Sequence, residues 1–142
     1  MTVTTATRAA ALAKHLECDA DEVSESTYQE TIMDGPGGEW LVLTDDEADE
    51  AVAEYIGQSV WAFTSWFLAD HAPDGITADH IDAMRGDSCE DFNDPAIALV
   101  EAGKGMQSFI EAAISADGIG HFLSGYDGEE HEVDGFLIYR TN

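Results

Sequence analysis

Ala9, Leu12, Ala13 and Leu16 recur at the three- and four-residue spacing of a helix face, and the alanine-rich run around them predicts a helix from Thr5 or Thr7 to Leu16. The acidic stretch ECDADEVSES that follows reads as a turn or short helix. The period then changes. TYQETIMD and EWLVLT flank GPGG, whose glycines supply positive φ and whose proline fixes the bend, so a β-hairpin is expected. The run Leu41, Val42, Leu43 is apolar enough for a central strand of a small sheet.

From Thr44 the helical period returns. Thr44 is an N-cap candidate, and Glu47 three residues on completes a capping box. Val52, Ile56, Val60, Phe63 and Phe67 form one apolar stripe, which predicts a helix running to about His71, before Pro73, with a kink at Gly57. TADHIDAMR predicts a short helix capped by Thr77. DPAIALVEAG predicts another, with Asp94 as N-cap and Pro95 at the first helical position, and MQSFIEAAIS a third. The tail reads as a short strand or turn, an acidic loop and a final strand, FLIYR. The pattern as a whole is α+β: a small antiparallel sheet, hairpin plus C-terminal strand, packed against several helices in a single acidic domain spanning residues 1–142. Of the three tryptophans, at least two are expected in the core.

Charge alters the picture more than hydrophobicity does. Thirty Asp and Glu stand against five Lys and Arg, for a formal charge of -25, so most carboxylates have no basic partner to pair with. The 44% hydrophobic content nonetheless matches a folded protein with a core. Direct nucleic-acid binding is excluded for want of a basic patch to neutralise phosphates, whereas association with basic partners is accelerated. Cys18 and Cys89 have no metal-like spacing, no signal peptide opens the chain and no apolar window approaches a membrane span, so a cytoplasmic location with free thiols is expected.

The segment LTDDEADEAVAEY, from Leu43 to Tyr55, carries six acids and no base. Acids in a helix's first turn interact favourably with its dipole, which accounts for Asp45, Asp46 and Glu47. It does not account for Glu50 and Glu54, which with Asp46 make an i, i+4, i+8 row of like charges that weakens a helix. Successive members of such a row are about 6 Å apart along the axis. That is close to the interval between phosphates on one nucleic-acid strand. The candidate partner-binding residues are therefore Asp45, Asp46, Asp49, Glu50 and Glu54, with Glu129, Glu130 and Glu132 of the C-terminal acidic loop second.

Other chemistries fit less well. DADEVSESTYQE has acids at positions 1, 3 and 12 of a calcium loop, but Val23 and Ser24 stand at positions 5 and 6, where an oxygen ligand and a glycine are needed, so no metal and no cofactor is expected. DGIGHFLSGYDGEEHE gathers histidines, Ser124, Tyr126 and acids, which suggests a small enzyme using His121 and Asp127 as one alternative. It matches no dinucleotide fingerprint, nucleophile elbow or zinc-protease helix. A salt-adapted domain of unrelated function is the other alternative.

EWLVLTDDEADEAVAEYIGQSVWAF, ISADGIGHFLSGYDGEE and FLIYR resemble strings in small acidic proteins of phages, prophages and plasmids, over roughly residues 38 to 140. The resemblance implies a mobile-element setting beside genes that handle host defence. In charge and size the chain is also similar to DNA-mimic anti-CRISPR and anti-restriction proteins. The expectation is a non-enzymatic inhibitor that occupies the basic channel of a nucleic-acid-binding defence complex, a CRISPR effector first among them.

Overall fold

A computed structural model of the protein describes residues 3–25, 29–87 and 89–142. Thr27 and Tyr28, expected at the start of the first hairpin strand, lie outside the described residues. In chain order the elements are α1 (Thr5–Leu16), β1 (Ser24–Glu25), β2 (Ile32–Gly35), β3 (Gly38–Leu43), α2 (Asp45–Gln58), α3 (Ser65–His71), α4 (Ala78–Arg85), α5 (Asn93–Ala102), α6 (Met106–Asp117), α7 (Ile119–Leu123), β4 (His131–Val133) and β5 (Phe136–Arg140). The fold is α+β. Internal contacts group the chain into two compact units, residues 1–52 with 117–142 and residues 53–116, with α2 beginning in the first and ending in the second. No described helix is long and apolar enough to cross a membrane.

The first unit is built on an antiparallel sheet in the order β1-β2-β3-β5-β4. The hairpin turns at Pro36 and Gly37, with Gly35 opposite Gly38 and Gly37 at φ 85, the positive φ that the third residue of a type II turn needs. β3 is central, as its apolar run predicts, because β5 pairs along its other edge with Val42 opposite Ile138. β4 and β5 are joined through Asp134 and Gly135, at φ 52 and 83, the double positive φ of a tight type I′ hairpin. One sheet face presents Met33, Trp40, Val42, Phe136 and Ile138, and onto it α1 packs Leu12, Ala11 and Ala13. Burying a side chain the size of Leu12 stabilises by about 1.5–3 kcal/mol, so this seam holds α1 in place.

The second unit corrects the long helix expected from Thr44 to His71. α2 stops at Gln58, a single 3₁₀ turn covers Val60–Ala62, and Thr64 then caps a separate helix, α3, by accepting the Phe67 N–H. The reason lies in Asn93. In a continuous helix the Trp61 N–H would donate to the Gly57 carbonyl. Instead Asn93 stands between them: its Nδ2 donates to Gly57 O at 3.0 Å, and its Oδ1 accepts from Trp61 N at 3.1 Å. One side chain thus satisfies both groups that the break exposes. Val52, Ile56 and Val60 of the expected stripe are buried, and Phe63 and Phe67 are half-buried. Phe63 and Phe67 stack at 5.3 Å, and Phe109 meets both edge-on, its centroid 4.8 Å from that of Phe63.

Asn93 also corrects the start of α5, which begins at Asn93, directly after a 3₁₀ turn at Glu90–Phe92, rather than at an Asp94 cap. A further correction concerns GHFLSG, which is the helix α7 and not a strand or turn. There Gly120 allows the Gly128 carbonyl to approach where a Cβ would lie 2.7 Å from it, so α7 and the acidic loop pack against each other without a side chain between. Glu132, expected in that loop, is in β4. Trp40 is buried, Trp61 is half-buried and Trp66 is 65% exposed, so core packing of two tryptophans holds fully for Trp40 alone.

Candidate functional site

The start of α2 is fixed by two devices. Thr44 and Glu47 form the expected capping box: Thr44 N donates to Glu47 Oε1 at 2.8 Å, and Glu47 N donates to Thr44 Oγ1 at 3.2 Å. Across from it, Arg8 of α1 is buried at 3% exposure and donates through both terminal nitrogens to the two Glu47 carboxylate oxygens at 2.8 Å. Its Nη1 also donates to Val42 O at 2.6 Å, and the guanidinium lies over the Phe136 ring. The Arg8 hydrogen bonds hold the Glu47 carboxyl below the usual carboxylate range, with the Thr44 amide adding to the effect against the opposing influence of burial. One acid of the opening segment is therefore a structural ion pair.

The other five candidates on this helix are all exposed. Ala48, Val52 and Ile56 occupy its buried side. Helical geometry sets Asp46, Glu50 and Glu54 on one line and Asp45 and Asp49 on the line beside it. Among the described residues, no ion pair joins any of the five to a lysine or arginine. Four of the five bases are in use elsewhere: Arg8 on Glu47, Lys14 on Asp134, Arg85 on the Phe63 carbonyl, and Arg140 on Gly37 O with its guanidinium over the rings of Tyr126 and Trp40.

Of the C-terminal acidic cluster, Glu130 is anchored on the sheet. Tyr139 is fully buried, and its hydroxyl donates to Glu130 Oε1 at 2.5 Å. Burial pushes its phenol far above the ordinary tyrosine range, and the charges of Glu130, Asp49 and Asp45 push it in the same direction. Of the three, Glu130 alone meets the hydroxyl. Tyr139 is a residue that the sequence did not single out; its place in a β-run beside Ile138 marks it only as core. Glu129 and Glu132 do not join the group. Glu129 Oε2 lies 3.6 Å from His131 Nε2, and Glu132 stands opposite Leu137, on the sheet face of Tyr139 but further along the strands from the phenol than Glu130, which meets the hydroxyl.

His121 and Asp127 are not brought together as a pair. His121 is exposed and packs edge-on to Phe122, with centroids 5.0 Å apart. Asp127 Oδ1 instead accepts from Ser124 Oγ at 2.7 Å and from Glu129 N at 3.0 Å, and those bonds, Ser124 first, hold its carboxyl below the usual range. Asp127, Glu129 and His131 place one ligand atom each within 4.8 Å of the others, so these three have the donor types and spacing to hold a divalent cation. The His15 ring sits 4.6 Å from that of His131, and burial together with His131 lowers its pKa against the opposing pull of Asp127.

Chemically, the helix presents five exposed carboxylates, and among the described residues no lysine or arginine forms an ion pair with them. Compared with known protein families, with characterised proteins and with solved structures, the chain matches none.

Proposed function

We propose that this protein is a non-enzymatic inhibitor, made by a phage or mobile element, that occupies the basic nucleic-acid channel of a host defence complex, a CRISPR effector first among the candidates. The observation that supports the reading is the exposure of Asp45, Asp46, Asp49, Glu50 and Glu54 on one capped helix, with no basic side chain paired to any of them among the described residues. A row that repels itself and opposes helix formation does not serve folding. Presented to a channel lined by lysine and arginine, the same row replaces phosphates, and its long-range field speeds encounter. Glu130, held by the Tyr139 hydroxyl, adds a carboxylate on the sheet.

The test is competition. The purified chain is expected not to retard DNA or RNA in a mobility-shift assay at physiological salt, and to prevent a basic effector from binding its own nucleic acid. Raising the nucleic-acid concentration should relieve the inhibition. Retardation of DNA by the chain alone, or inhibition that is indifferent to nucleic-acid concentration, would sink the proposal.

A further inference from the structure

The second unit contains a cleft of about 580 Å³ whose walls combine aromatic rings with unpaired acids. Tyr55 and Gln58 come from the last turns of α2, and Trp61 from the 3₁₀ turn after it. Glu90, Asp91 and Asp94 come from the 3₁₀ turn before α5 and its first helical turn. Tyr55 is 49% exposed and Trp61 half-buried, and both line the cleft. The three acids are exposed, and no lysine or arginine forms an ion pair with them among the described residues.

The walls are held by the Asn93 bridge. By bonding Gly57 O and Trp61 N, Asn93 ties the Tyr55–Trp61 wall to the Glu90–Asp94 wall. Its own polar groups are spent on that task. The cleft is thus preformed, and a ligand would not have to order it. The amino end of α5 offsets about half a charge of its own. Three carboxylates exceed that, so the cleft remains strongly negative.

We propose that this cleft receives an arginine side chain of a basic partner protein. A guanidinium is planar and weakly hydrated, stacks on indole and phenol faces, and directs five N–H donors outward to carboxylates, whereas an ammonium is a compact and strongly hydrated ion. The chain's own arginines already use these surfaces: Arg140 lies 3.8 Å from the Tyr126 centroid and 5.1 Å from that of Trp40. Glu54 accepts from Gln58 Nε2 at 3.4 Å, and Gln58 is on the lip, one helical step beyond Glu54. That a protein is the source of the arginine rests on the inhibitor reading; the cleft's preference for guanidinium does not.

The experiment is a titration of the isotope-labelled protein, followed by NMR at physiological salt, with N-acetyl-argininamide, N-acetyl-lysinamide and spermidine in separate arms. The expected result is saturable shifts of the Trp61 indole N–H and the Gln58 side-chain amide, with the arginine compound binding at least fivefold more tightly than the lysine compound. Glu90→Gln with Asp91→Asn, both at exposed positions, should weaken it at least tenfold. A control with equal charge loss in the same unit, Asp74→Asn with Asp79→Asn, should change it less than twofold. Shifts scattered over all acidic surfaces without saturation, equal or tighter binding of the lysine compound or spermidine, or a control as damaging as the cleft variant would overturn the proposal. If argininamide binds as expected while the cleft variant inhibits an effector like the parent, the cleft stands as an arginine site and its part in inhibition fails. If argininamide does not bind and the α2 row still inhibits, the cleft proposal fails alone.

Discussion

Glu47 and Glu50 stand one turn apart on the same helix, in a run of near-identical residues, and do opposite things. Glu47 is held by a buried arginine on both oxygens and by the Thr44 amide, and its charge is part of the fold. Glu50, like Glu54 a turn further on, is exposed, and its charge weakens the helix that carries it. The difference is one of neighbours. Five bases cannot serve thirty acids, and the few that are internal decide which acids are structural. The remaining charge answers to something outside the chain.

The comparison breaks first at Arg8. Arg8→Met leaves Glu47 bound only by its cap, and removing one partner of such a pair costs about 3 kcal/mol, the low end of the range because Glu47 is partly exposed. A thermal melt should show a fall of roughly 10 °C. A parent-like melt would mean that the pair is dispensable and that Glu47 belongs with the free acids.

Glu50→Lys with Glu54→Lys tests the other side. By helix physics, stability should hold or rise by a few tenths of a kcal/mol, because the row gains opposite-charge neighbours. Binding to a basic channel should weaken about a hundredfold or more, at roughly 1.5 kcal/mol per reversed pair. A melt and an inhibition assay measure the two separately, with Glu22→Lys and Glu25→Lys as a control for net charge. A variant that melts and inhibits like the parent would make the row a solvated face.

Glu47→Gln sharpens the contrast through pH. It should destabilise by about 1–2 kcal/mol at neutral pH, from the loss of charge-assisted bonds. The sign follows from the depressed carboxyl of Glu47. The ionised form's contribution is fully present above the unfolded-state value of about 4.3 and is lost as pH falls through the lower folded value. The gap between parent and variant should therefore close in acid, as paired melts at pH 7 and about pH 3 would show.

The smallest effect is expected at Tyr139→Phe, which removes the hydroxyl from Glu130 and keeps the packing. About 1 kcal/mol of stability should be lost. Inhibition should stay within twofold, because the carboxylates of Asp45, Asp49 and Glu130 all remain. A larger loss of inhibition than of stability would show that the phenol positions Glu130 for the partner.

Much of this was legible along the chain. The hairpin at GPGG, the central β3, the box of Thr44 and Glu47, and the exposure of Asp46, Glu50 and Glu54 all follow from local spacing. The DG of HEVDGF was an available signal for the β4–β5 hairpin and the strand that carries Glu132, yet the acids around it read as a loop. The break of α2 had weak local marks in Gly57 and Ser59, but its cause is Asn93, 36 positions beyond Gly57. An asparagine at a helix start looks like a cap from sequence, and nothing local says that both ends of its amide are committed elsewhere.

The sequence by itself determined α1, the GPGG hairpin, the start of α2 and the excess of negative charge, because helix and strand periods, turn residues and the count of bases are properties of short windows and of composition. The tertiary structure alone decided which acid meets Arg8, which carboxylate meets the Tyr139 hydroxyl, and that Tyr55, Trp61, Glu90 and Asp91 share one cleft. Those pairings depend on groups distant in the chain brought into close range. At that range burial and geometry, not propensity, set what a charge is worth.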